Sequence, residues 1–320
     1  MRIAFVMDPV DGVNVDADTT FALMLGAQAR GHELFYVRPE DLLGRRDACF
    51  ATVYPVTVRQ NPEDKVTLGE GRFEALHQMD CIWMRKDPPF DEVYLYQAGL
   101  LELAEARGTL VLNRPCGLRA ANEKLYALHF EEVIPDTVVT ADGAQIKDFL
   151  ADVGGRGVLK PLRGHGGEGI FVVGLNDRNL NAMIEVSTDN GRLPVMCQEY
   201  LPEARQGDKR VLLLDGAPMG AILRVPREEE HRSNIHVGGR VVATSLTEKE
   251  RRICELVGPR LVRDGLYFVG IDVIGERLTE VNVTSPTGIQ EMSRLDGVDG
   301  PEMVTKWVED RVEAQTTVDE

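Results

Sequence analysis

The stretch Phe268-Val269-Gly270-Ile271-Asp272-Val273-Ile274-Gly275-Glu276-Arg277-Leu278-Thr279-Glu280-Val281-Asn282-Val283 decides the fold around it. Ile271 and Val273 alternate with Asp272. Val281 and Val283 alternate with Glu280 and Asn282, so both halves read as half-buried strands. Slipping the pairing by one residue turns every side chain to the other face, so parity fixes the register. A plain two-residue loop sets apolar residues of one strand beside the polar face of its partner. A three-residue loop, Gly275–Arg277, puts Ile271 opposite Val281 and Asp272 opposite Glu280. The expectation is that loop, with Asp272, Glu280 and Asn282 on one face. Such oxygen donors suit a hard cation, Mg²⁺, bridging nucleotide phosphates. A solvated sheet face is the plainer alternative, but two carboxylates directly opposite repel unless a cation lies between them.

Working upstream, a second hairpin is expected from Arg210–Leu214, a turn at Asp215-Gly216, and Gly220–Val225. Arg210 and Arg224 fall on its adjacent strands, where both can face one cleft and neutralise an oxyanion or phosphoryl group. Further upstream, Arg163-Gly164-His165-Gly166-Gly167-Glu168-Gly169 lies between strands expected at 157–161 and 170–173. Glycines there let backbone N–H groups approach an anion without a Cβ in the way. Lys160, at the end of the preceding strand, adds a point charge suited to phosphate. The strand 195–200 ends in Gln198-Glu199-Tyr200-Leu201-Pro202 and by itself reads as an ordinary edge strand. Helices are expected through Lys124 and near 143–151, 177–186, 247–263 and 301–314.

The N-terminal part reads differently. A strand at 2–7, a helix from Thr19 to Arg30 stopped by Gly31, and a strand at Glu33–Val37 make a β-α-β opening. A strand at Asp80–Met84, a helix at 91–107 and a strand at 109–112 extend it. No GxGxxG fingerprint follows the first strand, which disfavours a dinucleotide-binding dehydrogenase. Residues 1–118 form one α/β unit in this reading.

The chain has 320 residues and a formal net charge of −16, with a sequence pI of about 4.9. An acidic surface repels phosphate backbones, so nucleic acid is not an expected partner, and anionic substrates need local Lys/Arg clusters. Five scattered cysteines without a CxxC pair argue against a disulfide framework or zinc site and for a reducing compartment. No apolar run approaches a membrane span and the N-terminus lacks signal-peptide features, so a soluble, cytoplasmic protein is expected.

Taken in order, these pieces resemble the bacterial glutathione synthetase family along essentially the whole chain. The resemblance is carried by Met7-Asp8-Pro9, Met84-Arg85-Lys86-Asp87-Pro88-Pro89-Phe90, Asn122-Glu123-Lys124-Leu125, Leu159-Lys160-Pro161-Leu162 and Gly207-Asp208-Lys209-Arg210-Val211. It continues in Val269-Gly270-Ile271-Asp272 and Leu278-Thr279-Glu280-Val281-Asn282-Val283-Thr284-Ser285-Pro286-Thr287. The Arg85–Phe90 and Glu280–Thr287 runs are far more specific than any glycine loop. The resemblance implies an α/β (α+β) ATP-grasp fold with an N-terminal Rossmann-like domain. The implied division is a substrate-binding domain at 1–118, a central lid domain at 119–200 and a catalytic domain at 201–320.

It further implies that Lys124, Lys160 and the Gly164, Gly166 and Gly167 loop meet ATP phosphates. The backbone of Glu199, Tyr200 and Leu201 then reads adenine, Asp208 meets the ribose, and Asp272, Glu280 and Asn282 hold Mg²⁺ or Mn²⁺. Implied substrates are ATP, γ-glutamylcysteine and glycine, in a homo-oligomer, tetrameric as in the family. The segment Pro226–Arg240 reads as a mobile lid that brings Arg232 in on closure. With no Ser/His or Cys/His constellation in view, catalysis falls to Lys160, Arg210, Arg224 and Arg232, acting by positioning and charge neutralisation. The glycine loop departs from the family's Asp-Gly-Met-Gly-Gly pattern at Arg163 and His165 and adds Glu168. The alternatives are another ATP-grasp ligase, acting on a peptide or protein tail or making a dipeptide, and a nucleotide-binding regulator without turnover.

Overall fold

The computed structural model describes residues 1–164, 166–226 and 239–318. Three sheets follow one another along the chain. In the first, β1 (Arg2–Val6), β2 (Glu33–Val37), β7 (Cys81–Met84) and β8 (Leu110–Leu112) run parallel in the order β2-β1-β7-β8. β1 is buried from Ile3 to Val6, as a strand covered on both faces must be. α1 (Thr19–Ala29) makes the crossover: the Asp18 side chain caps it by accepting from Phe21 N, and Gly31, at φ 83°, ends it. α2 (Glu92–Glu105) is capped the same way by Asp91.

An antiparallel meander extends the sheet beyond β2. β4 (Ala48–Val58) pairs with β2, β3 (Leu43–Arg45), β5 (Val66–Leu68) and β6 (Arg72–Ala75). The sequence reading passes over it, because its flanking strands are only three or four residues long.

α3 (Pro115–Ala120) leads out of this sheet, and the chain then departs from expectation. Lys124 is not within a helix. It precedes a 3₁₀ run, Leu125–Phe130, while Asn122 accepts from the Lys124 and Leu125 amides. This local Asx pairing competes with an α-helical turn.

The second sheet is antiparallel: β9 (Thr137–Thr140), β10 (Arg156–Pro161), β11 (Phe171–Gly174) and β12 (Val195–Glu199), in the order β11-β10-β12-β9. α4 (Gly143–Asp152) and α5 (Leu180–Ser187) join it around a small core of its own that includes Ile146, Leu150, Leu159 and Ile184.

The third sheet has β13 (Asp208–Leu214), β14 (Ala217–Val225), β15 (Arg240–Ala243), β16 (Phe268–Ile274) and β17 (Arg277–Asn282), in the order β15-β14-β13-β16-β17. α6 (Glu248–Arg263), α7 (Ile289–Asp296) and α8 (Gly300–Val318) pack beside it, α8 also lying against α1. Neither β15 nor α7 is foreseen in the sequence reading.

The register of the β16–β17 hairpin is the expected one, Ile271 opposite Val281 and Asp272 opposite Glu280, but its loop is not. Gly275 and Glu276, at φ 55° and 61°, make a two-residue turn, and Ile274 pairs with Arg277. A bulge restores parity. Val273 pairs with Leu278, so Thr279 is the extra residue, its hydroxyl donating to Asp272 O at 3.1 Å.

The first and third sheets share their core: Trp83 meets the Phe268 ring edge-on with centroids 5.8 Å apart. Asn113 pins them together. Its amide donates to Phe268 O and Val283 O, and its oxygen accepts from Tyr267 N and Phe268 N, all at 2.8–2.9 Å. Among the described residues no helix is long and apolar enough to cross a membrane. Replacing Asn113 by Ala leaves buried backbone groups without partners, at about 1–3 kcal/mol each. Urea denaturation of Asn113→Ala is therefore expected to show a loss of about 3 kcal/mol or more, and a loss below about 1 kcal/mol would contradict this account.

Candidate active site

The three sheets meet around one cleft of about 1490 Å³. Every described residue that the sequence singled out for the site lines it: Lys124, Lys160, Gly164, Gly166, Gly167, Glu199, Tyr200, Leu201, Asp208, Arg210, Arg224, Asp272, Glu280 and Asn282. Arg232 lies outside the described residues, as do His165 and most of the expected lid.

The cleft floor follows from strand alternation. Asp208 and Arg210 stand two apart on β13, with Arg224 opposite Asp208 and Asp272 opposite Arg210. Arg210 grips Asp272 in a fork, Nε to Oδ1 at 2.5 Å and Nη2 to Oδ2 at 3.0 Å, and donates to Thr287 O at 3.2 Å. Arg224 Nη2 lies 2.9 Å from the same Asp272 Oδ1, and the Arg224 guanidinium also pairs with Asp208.

All four groups are buried. Burial alone raises a carboxyl pKa, but at Asp272 the two guanidinium groups outweigh it and hold the group below its usual range. At Asp208 burial wins over the pull of Arg224, with the Asp272 charge adding to it, and the pKa is raised. The sequence treats the arginine pair and the oxygen-donor face as separate features, whereas the structure joins them at Asp272.

On the neighbouring strand Asn282 Nδ2 donates to Asp272 Oδ2 at 3.2 Å, and Glu280 Oε1 pairs with Lys124 Nζ at 2.9 Å. Lys124 Nζ also donates to Gly164 O at 2.8 Å, tying the glycine loop to β17. Within that loop Gly166, Gly167 and Gly169 take φ of 60°, 82° and 68°, a region other residues enter at a cost. Lys160 is held at the cleft by Gln198 Oε1 at 2.7 Å, and burial lowers its pKa. At the end of β12, the Tyr200 ring lies beneath the Arg156 guanidinium, 4.0 Å from its centroid.

The first sheet supplies a wall from the Arg85–Phe90 motif, which the resemblance sets where the N-terminal domain meets substrate without giving Arg85 a role of its own. Arg85 is 3 % exposed. It donates to Thr20 Oγ1 and Pro286 O, each at 3.0 Å, and among the described residues no carboxylate stands within ion-pair distance. Beside it Lys86 pairs with Asp8 at 2.8 Å and the Asp87 amide donates to Asp8, folding the 85–90 loop onto Met7–Pro9. The signal was available: a charged run at the C-terminal end of a parallel strand is where open α/β sheets place ligands.

The N-terminal domain model of prokaryotic glutathione synthetase matches residues 1–119, and the ATP-grasp domain model of the same family matches residues 123–297. The chain belongs to the prokaryotic glutathione synthetase family. It is 49% identical over 317 residues to a glutathione synthetase of Thermosynechococcus vestitus, covering 96% of this chain and 99% of that one. Against the glutathione synthetase of Gloeobacter violaceus identity is 50% over 313 residues, 96% of each chain. The glutathione synthetase of Agrobacterium fabrum is 44% identical over 314 residues, 98% of each.

Among solved structures, the ATP-grasp ligase PsnB complexed with minimal precursor superposes with a TM-score of 0.62 at 21% identity, covering 98% of both chains. D-cycloserine synthetase DcsG superposes with a TM-score of 0.65 at 16% identity, covering 96% of this chain and 100% of that one. These likenesses show the ATP-grasp fold. The chain is an ATP-dependent ligase of that fold, acting on small molecules and using ATP and a divalent metal ion.

The residues present fit such a metal. Among the described residues no three His, Cys, Asp or Glu side chains stand together as a cage. Two carboxylates and an amide oxygen instead leave places for phosphate oxygens and water, as a hard cation carried by a nucleotide requires. The Asp272 charge also holds the arginines. Asp272→Asn removes one partner of a buried ion pair, for which the expected loss is roughly 3–5 kcal/mol of stability. Denaturant titration checks this, and a variant of near wild-type stability would mean that Asp208 suffices for both arginines.

Proposed function

We propose that this ligase joins γ-glutamylcysteine to glycine at the expense of ATP, releasing ADP, phosphate and glutathione. The cysteinyl carboxylate attacks the γ-phosphorus and ADP leaves. The glycine amine then attacks the acyl carbon of the resulting acylphosphate, and phosphate departs as the amide forms. The strongest support is the convergence of Arg210 and Arg224 on Asp272 beside Glu280 and Asn282, in a chain whose relatives at 44–50% identity are named glutathione synthetases.

In this reading ATP lies between residues 119–200 and 201–320, while residues 1–118 present the peptide substrate. Lys124, Lys160 and the amides around Gly164, Gly166 and Gly167 meet the phosphates. Adenine lies against the backbone of Glu199–Leu201. Asp208 reaches the ribose and also positions Arg224. Asp272, Glu280 and Asn282 hold Mg²⁺, or Mn²⁺, which supplies charge neutralisation at the phosphates.

Both Asp272 oxygens already accept from guanidinium groups, so phosphate oxygens take over part of that pairing when nucleotide arrives. Arg210 and Arg224 are thereby brought onto the transferring phosphoryl group. Arg85, buried without a carboxylate partner, suits a carboxylate of the peptide substrate. No thiolate nucleophile is required, and burial pushes the Cys49 and Cys197 thiols up to about 12, Cys254 to about 11. Arg232, brought in as the segment 226–240 closes, adds to the charge neutralisation in this reading, and the closed segment keeps water from the acylphosphate.

The decisive measurement is phosphate release from ATP with γ-glutamylcysteine, with and without glycine, the product being weighed by mass spectrometry. Glycine-dependent release with a product of glutathione mass is expected. Arg210→Ala is expected to lower kcat by about 10²–10³-fold. Turnover with glutamate or another amino acid instead of glycine would overturn the substrate assignment and favour the peptide-ligase alternative.

A further inference from the structure

Glu123 takes no part in the chemistry above, yet it holds the strand end that carries Asn282. Its Oε1 accepts from Val283 N at 2.9 Å, Thr284 N at 3.1 Å and Thr284 Oγ1 at 2.9 Å. Its backbone carbonyl accepts from Val281 N at 3.1 Å. Asn282 is the last residue of β17 and pairs with Gly270, so the sheet ladder stops there. Past that point Glu123 supplies the acceptors that a neighbouring strand would have supplied. The amides on both sides of Asn282 are thus fixed by one residue.

The adjoining residues complete a bracket. Asn122 Nδ2 donates to Leu162 O at 2.9 Å, at the start of the glycine loop, and Lys124 bridges Gly164 O and Glu280. The tripeptide 122–124 therefore sets the glycine loop of one sheet against β17 of another. Groups that orient a metal ligand commonly change metal affinity by about 10–100-fold when removed.

We propose that Glu123 is a positioning residue for the cation site, fixing the backbone around Asn282 and so the place where the Asn282 side chain meets the metal. The proposal rests on the reading of Asn282 as a cation donor. Glu123 acts through its acceptor oxygen, and its negative charge is secondary, which separates this role from plain electrostatic attraction of the cation.

The test is Mn²⁺ binding to the full chain in the presence of ADP, followed by electron paramagnetic resonance, with amide hydrogen exchange at residues 281–284 alongside. Glu123→Ala is expected to weaken Mn²⁺ binding by about tenfold or more and to speed exchange at Val283 and Thr284. Glu123→Gln keeps a carbonyl oxygen for the same donors, so binding within about threefold of wild type and protected amides are expected. Equal losses in the Ala and Gln variants would overturn the proposal in favour of charge, and unchanged binding in Glu123→Ala would overturn it outright. Asn282→Ala separates the two readings: unchanged Mn²⁺ binding there would remove Asn282 from the site and this proposal with it. Should Glu123→Ala fail to fold, Thr284→Val, which removes only the hydroxyl bond, is expected to weaken Mn²⁺ binding by about two- to fivefold, and no change would again overturn the proposal.

Discussion

The carboxylate of Asp272, shared between the buried guanidinium groups of Arg210 and Arg224, is the constraint around which the cleft is built. Isolated buried charges are costly, and two cations beside one another more so, unless anions stand within hydrogen-bond reach. Asp272 and Asp208 provide them, and β-sheet pairing places them: Asp208 faces Arg224 on β14, and Arg210 faces Asp272 on β16. In a chain of formal net charge −16 the two guanidinium groups are thus held inside the cleft with their charges balanced by these two carboxylates.

Much of this was legible in the sequence, for identifiable reasons. Alternation in 268–283 fixes which residues face together, so Asp272, Glu280 and Asn282 were found on one face. Parity says nothing about how the face is kept, however, and the structure keeps it with a two-residue turn and an extra Thr279 instead of a longer loop. Periodicity also misses Lys124, because the Asn122 side chain satisfies amides that a helix would have used. In the meander from β3 to β6, β4 is long but its partners β3, β5 and β6 are only three or four residues each, too short to announce a sheet extension. Arg85 was legible only as part of a motif that the resemblance places where the N-terminal domain meets substrate; its burial between Thr20 and Pro286 comes from packing between distant parts of the chain.

The resemblance to the glutathione synthetases and the physics of the site carry different parts of the account. Sheet register, burial and charge place the arginines, the oxygen donors and the lysines around one cleft without reference to any relative. The choice of peptide and amine comes from kinship. The two meet at Arg85, a buried cation in a motif that the resemblance marks as specific and that the structure leaves without a carboxylate partner among the described residues.

The central sheet also differs from the other two in what holds it. The first and third sheets contribute to the same buried clusters, whereas the central one has a core drawn only from residues 146–197. A unit with a core of its own can open without dissolving the shared one, as cooperative segments of a fold do. Lys160 and the strand end at Glu199 sit on this unit, while the arginines sit on the other. A nucleotide bound as proposed above, touching both, would join the two units, so that the work of opening that wall and the affinity for nucleotide become two expressions of a single linked equilibrium.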